Sequence, residues 1–177
     1  VEANNLLYII HDTVGTVGQY KVTSGGVITN LGTTYPTNPP PGNIGAWFQN
    51  RLFIAGDAAN PDFVYFSDSL APDTFTPGNV FKPDLGIYGK VTALVPWDRF
   101  RLLVFKERAV YVLTCEGGTP LTDWSVSLLI QDYGCIARDT AIRVERDVWF
   151  LAHDGVRTVS TTVEGEAAAG PAAPMSY

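Results

Sequence analysis

Apolar residues in this chain come in short runs separated by glycine, proline, asparagine and aspartate. Leu6–Ile10 is the first run. A turn at Gly15–Gly18 leads to Gln19–Val22, and Gly25-Gly26 lead to Val27–Thr29. Runs of this length bounded by turn residues predict strands joined as hairpins, with glycine supplying the positive-φ positions. After the stiff segment Pro39-Pro40-Pro41-Gly42 the grammar repeats. Arg51–Gly56 predicts a strand, Asp57–Asp62 a loop and Phe63–Ser67 the return. Phe100–Phe105, a turn at Lys106–Arg108 and Ala109–Leu113 form a third pair, with Trp124–Ile130 as an outer strand. Asp147–Ala152, a turn at His153–Gly155 and Val156–Ser160 form a fourth. Ile44–Phe48, Val91–Val95 and Thr140–Val144 each precede a central strand. No window sustains an apolar stripe at i, i+3, i+4, i+7 long enough to predict a helix.

The central strands recur. Tyr8, Phe53, Val104 and Phe150 sit at their middles, in steps of 45, 51 and 46 residues. Antiparallel units of about 40–50 residues are the signature of propeller blades. The predicted fold is therefore all-β: a β-propeller-like array of antiparallel blades over residues 1–164, with blades near 1–35, 44–81, 90–130 and 136–163. Three or four blades do not close most propellers, so the array reads as an incomplete propeller. A β-sandwich is the alternative. Near-continuous apolar strands such as Leu102–Phe105 suit sheets covered on both faces. Residues 165–177, rich in Ala, Gly and Pro, read as a flexible tail.

Composition sharpens this picture. Apolar residues are 46% and charged residues 17%, which excludes wholesale disorder. Twelve Lys+Arg against 18 Asp+Glu give a net charge of −6, which disfavours general binding of DNA or anionic membrane. No apolar run approaches the ~20 residues of a membrane helix. Val1 opens no signal-peptide pattern, and the numbering is compatible with a start inside a longer chain. Cys115 and Cys135 lack zinc spacing and read as small buried thiols, a disulfide remaining open. A catalytic thiol would need His11 or His153 as its base.

Chemistry-bearing candidates are few. His11-Asp12 and His153-Asp154 are His-Asp pairs at strand ends, favoured as turn formers over a metal or acid–base site. Asp57, Asp62, Asp68 and Asp73 form an acidic stretch. Paired carboxylates serve glycosidases and oxygen clusters hold calcium, but neither ordered spacing is present here. Arg99/Arg101, Lys106/Arg108 and Arg143/Arg146 read as interface or solvated charges. Trp47, Trp97, Trp124 and Trp149 recur by unit and read as packing residues, with carbohydrate stacking as the sharper option. The glycine pairs near the start lack the Gly-Lys-Ser/Thr of a phosphate loop.

Several stretches carry a family resemblance. Asn50–Gly56 with Asn60–Asp68 and Pro72–Phe75, then Arg101–Glu107 with Ala109–Tyr111, are similar to structural proteins of tailed bacteriophages. Tyr133–Ala137, Asp147–Leu151 and His153-Asp154-Gly155-Val156-Arg157 resemble the repeated pattern of the phage stabilisation, tail-accessory and tail-nozzle group. The resemblance covers about residues 44–160, and members of the group commonly continue with further strands. It implies a non-enzymatic virion component of the tail or head-to-tail connector, made in the host cytoplasm. It further implies a ring of six copies around the DNA path, with portal or adaptor, tail-fibre or tail-tip proteins as partners. No cofactor, metal or membrane is implied. Asp57, Asp62, Asp68, Asp73, Arg99, Arg101, Lys106, Arg108, His153 and Asp154 are then candidates for subunit-contact or lumen loops. Acidic walls would repel passing double-stranded DNA. The alternative function is a carbohydrate- or receptor-binding propeller, and a glycosidase comes third.

Overall fold

A computed structural model describes residues 1–11, 18–32, 35–115 and 121–167. Among these residues the fold is all-β: four antiparallel sheets and one short helix, with no closed barrel. Every sheet is a meander in which each strand pairs with its sequence neighbour. The first holds β1 (Glu2–Ala3), β2 (Leu6–Ile9), β3 (Tyr20–Val22) and β4 (Ile28–Asn30). The second holds β5 (Ile44–Phe48), β6 (Arg51–Ala55), β7 (Val64–Phe66) and β8 (Val80–Phe81). The third holds β9 (Val91–Pro96), β10 (Arg101–Lys106), β11 (Ala109–Thr114) and β12 (Ser125–Gln131). The fourth has β13 (Ile142–Val144), β14 (Asp147–Ala152) and β15 (Gly155–Thr158). Most of the turn expected at 15–18 lies outside the described residues.

The sheets group in pairs into two compact units, Val1–Lys82 and Pro83–Tyr177. In the first unit the register Ile54↔Tyr65 places Leu52, Ile54 and Tyr65 on one flank of the second sheet. These side chains join Ala3 and Tyr8 of the first sheet, with Phe75, in one buried cluster. Gly45 marks the close approach of the two sheets. A Cβ there would lie 2.7 Å from Ile10 Cγ1 and 3.0 Å from Val1 Cγ2. The other flank of the second sheet carries a ring ladder, Phe48–Phe53–Phe66–Phe81, with centroids 6.2, 5.7 and 4.9 Å apart.

The second unit repeats the scheme. Ala93, Val95, Leu103, Phe105, Val110, Val112 and Ile130 of the third sheet pack on Val148, Phe150 and Ala152 of the fourth. β14 alternates strictly, its even residues buried and its odd ones facing away.

The end of the chain differs from the reading of the sequence. The strand expected over Val156–Ser160 stops at Thr158, and α1 (Val159–Ala167) follows. Thr158 Oγ1 accepts the Thr161 N–H at 3.2 Å and Asp147 Oδ1 accepts the Ser160 N–H at 3.1 Å. Two helix-start donors are thereby satisfied, and Val159 is buried in the core. The helix takes residues 165–167 from the expected tail; residues 168–177 lie outside the described residues. Thr140 belongs to a 3-10 turn, Arg138–Thr140, which replaces the start of its predicted strand.

Candidate functional site

The acidic stretch is built into its own loops. Asp57 leaves β6 after Gly56, whose φ of +81° turns the chain. Its Oδ1 accepts Ala59 N–H (2.9 Å), and its Oδ2 accepts Asn60 Nδ2 (2.7 Å) and Tyr65 Oη (3.1 Å). Asp62 is buried. Asp68 accepts Thr76 Oγ1 and Asn79 Nδ2, both at 2.8 Å, closing the loop after β7. Asp73 accepts the Tyr8 hydroxyl at 2.5 Å and pairs with Lys21. Burial, then the Asp73 hydrogen bond and charge, push the Tyr8 phenol well above its ordinary value, so it stays a neutral donor. Burial and Asp57 do the same to Tyr65. Asp57 and Asp68 therefore act as loop closures, and Asp73 ties its loop to Tyr8 and Lys21 of the first sheet. Among the described residues no group of three or more His, Cys, Asp and Glu could hold a metal.

The basic candidates divide. Arg101 pairs with Asp98 (Nη2 to Oδ2, 2.5 Å) and lies over Trp97 at 4.1 Å. Burial pushes Asp98 up, but the Arg101 hydrogen bond and the Phe100 and Arg101 N–H groups outweigh it, and the carboxyl lies below its ordinary range. Arg99 lies over Phe100 at 5.2 Å. Arg108 and Asp132 are 3.7 Å apart on the surface. Lys106 departs from the expectation of a surface or contact charge: it is 0% exposed. Its Nζ donates to Pro83 O and Asp84 O, each at 3.0 Å, while Tyr111 Oη donates to Asp84 Oδ2 at 2.7 Å. Lys106 thus braces the foot of a loop whose Leu85 and Ile87 are exposed. Asp84 and Tyr111 went unnoticed in the sequence because nothing local links them.

His153-Asp154 forms the β14–β15 turn. Asp154 takes Arg157 through both oxygens, Nε to Oδ1 at 3.0 Å and Nη2 to Oδ2 at 2.5 Å. The Arg157 guanidinium lies 3.7 Å from the Tyr133 centroid, and Tyr133 stacks on His153 at 5.5 Å and 5°. His11 Nε2 meets Gly18 O at 2.8 Å and its ring stacks on Tyr20, while Asp12 lies outside the described residues. The Arg157 hydrogen bond, opposed by burial and helped by charge, holds Asp154 below the usual carboxylate range. A depressed folded value makes this stabilisation complete above the unfolded value of about 3.9 and lost as pH falls through the folded one. Asp154→Asn is therefore expected to lower Tm at pH 7, and thermal scans should show the deficit begin to shrink below about pH 4 and vanish only once the pH is below the depressed folded value. An equal deficit at pH 2 would refute this account.

Cys115 and Cys135 are buried and are not joined by a disulfide. Trp47 and Trp97 pack against the two cores, as expected. Trp149 does not: it is 40% exposed. It belongs to a feature the sequence only hinted at. In the first sheet the register Leu7↔Val22↔Ile28 and Ile9↔Tyr20 sets an apolar flank facing away from Tyr8 and the core. Ile28 is 64% and Leu7 49% exposed. In the fourth sheet Ile142, Val144 and Trp149 form a similar flank opposite Phe150. The strands β5–β7 and β9–β11 of the second and third sheets bury nearly all their apolar positions, whereas the first and fourth sheets leave one flank open. The hint lay in Leu6–Ile10, where both strand parities are apolar and so both flanks call for cover. No protein-family model matches this chain, and no curated protein matches it.

Proposed function

We propose that this chain is an architectural module, a structural component of the tail or head-to-tail connector of a tailed bacteriophage. It would form part of an oligomeric ring or nozzle around the DNA path. The observation that carries this reading is the pair of open apolar flanks on the first and fourth sheets. Arrays of stacked units end in polar caps when they end at all, because an apolar terminal flank seeks another sheet. Small antiparallel meanders packed in pairs, each pair with an apolar flank left open, suit blades of a propeller-like array to which further sheets add. The candidate carboxylates and cations are engaged in loop closures, ion pairs and a buried brace, which suits a scaffold. Residues that resemble the phage group fall on β6–β7, β10–β11 and β14–β15, and the net charge of −6 suits a wall past which DNA slides. Partners on this reading are further copies and neighbouring tail or portal proteins.

Native mass spectrometry and electron microscopy of the purified protein test it. A closed ring is expected; a strictly monomeric species at the highest workable concentration would overturn it. Trp149, exposed beside Asp147, favours a second reading as a carbohydrate- or receptor-binding module, which a glycan array would support by specific binding lost in Trp149→Ala.

A further inference from the structure

The last strand of the third sheet is an edge unlike the others. In the remaining sheets the edge strands β1, β4, β8 and β13 have two or three residues and β15 has four. β5 and β9 are edges too, but their side chains are buried or half-buried. β12 has seven residues, Ser125–Gln131, with no charge and no proline. It pairs with β11 on one side, and among the described residues no other element bonds its backbone. Ser125, Ser127 and Leu128 are exposed, Leu128 by 40%. Such an edge is a template for another strand, and proteins usually blunt it with charge, proline or a bulge. A bulge is present at Leu129, where the register with β11 shifts between Val110 and Tyr111. Ser125–Leu128 stay in unbroken register with Thr114–Tyr111.

We infer that β12 pairs with β12 of a second copy of this chain, antiparallel about a two-fold axis at Ser127. The strand is self-complementary there. An axis normal to the sheet sets Ser127 opposite itself and Val126 opposite Leu128 of the second copy, twice. Directly opposed residues share a flank, so the two Val–Leu pairs form one apolar cluster that takes Leu128 out of water. The two Ser127 hydroxyls meet on the other flank, each able to donate to or accept from the other. No like charges confront each other, which is what lets a strand pair with itself. The neighbouring axes fit worse. One at Leu128 runs its pairs through the bulge, and one at Val126 sets Leu128 opposite Trp124, outside the strand. The contact is isologous and joins two four-stranded sheets into one continuous sheet. It goes beyond the architectural reading, since a ring does not require it.

The test uses the full chain. Ser127→Lys and Ser127→Glu place a charge on the axis, at an exposed position of the strand. Circular dichroism checks folding, and sedimentation velocity over a range of concentrations reads mass. Each variant alone sets like charges opposite and is expected to pair at least about tenfold more weakly than the unaltered protein. A 1:1 mixture sets lysine against glutamate and is expected to regain the paired species. Ser127→Cys adds a covalent readout, because thiols opposed across the axis lie within bridging distance. Mild oxidation should then give a disulfide-linked dimer. Ser125→Cys, opposite Leu129 of the second copy, should give far less, and the buried Cys115 and Cys135 do not compete. Unchanged mass in both charge variants, a mixture no heavier than its components, or equal cross-linking at 125 and 127 would overturn the β12 contact. A ring that persists in the charge variants leaves the architectural reading standing, whereas a strictly monomeric unaltered protein overturns both.

Discussion

Lys106→Ala is expected to destabilise the protein by about 3 kcal/mol or more, a large change for a charged residue at the end of strand β10. The ammonium is wholly buried, which costs several kcal/mol unless its donors are satisfied. Pro83 O and Asp84 O accept two of them at 3.0 Å. Alanine would strand Pro83 O, at about 1–3 kcal/mol for an unsatisfied buried group, while Asp84 O keeps the Ile87 N–H at 3.1 Å, and it would leave a void along the lost stem. Asp84 also holds a φ of +34°, a strained conformation for a residue with a Cβ, and Tyr111 Oη pins its carboxylate. Lys106→Met keeps the stem volume and removes the desolvation penalty, so it should cost clearly less than alanine. Urea denaturation measures the ranking. Limited proteolysis adds a local readout, since cleavage at 84–89 should accelerate in Lys106→Ala before global unfolding. Equal stability of all three proteins with unchanged cleavage would show that the brace is idle.

Lys106 also shows where reading the sequence stops. Local pattern predicts a turn at Lys106–Arg108, and turns place charges in solvent. Burial arises from chain far away in sequence: the 83–84 carbonyls, and Cys135, whose N–H donates to Lys106 O at 3.0 Å. Gly134 allows this approach, since a Cβ there would lie 2.0 Å from Lys106 O. By contrast, β6, β10, β11 and β14 were legible to within a residue or two because apolar runs and turn residues are local signals. Helix α1 was missed because a nine-residue helix that buries one edge leaves no long stripe. Its signal was the Thr158 cap. The acidic stretch was legible as composition but not as role. Only the fold shows that Asp73 meets Tyr8 and Lys21, 65 and 52 residues away. The open flanks were half legible, since both-sided apolarity announces a need for cover and not who provides it.

Phe150→Ala is expected to cost about 3–5 kcal/mol, the usual range for deleting a buried phenylalanine. Phe150 is 1% exposed at the centre of β14, and its ring meets Phe105 of the third sheet at 5.1 Å and 54°. Around it pack Val148, Ala152, Cys135 and Val159, so strand, turn and helix all lose contact with one side chain. Phe150→Leu retains most of the volume and should cost roughly 1–1.5 kcal/mol. Pairing Phe150→Ala with Phe105→Ala should give less than the sum of the single losses, by about 0.5–1.5 kcal/mol of ring–ring coupling. Urea denaturation of the four proteins measures the cycle, and strict additivity would mean that the two rings do not hold the sheets together. The same residue ties stability to assembly. Phe150 and Trp149 are neighbours on a strand of period two, so fixing one inward fixes the other outward. Loosening the inner ring should therefore loosen presentation of the indole. Phe150→Leu, folded but less rigid, is expected to assemble more weakly than the unaltered protein, though its open flanks are chemically intact.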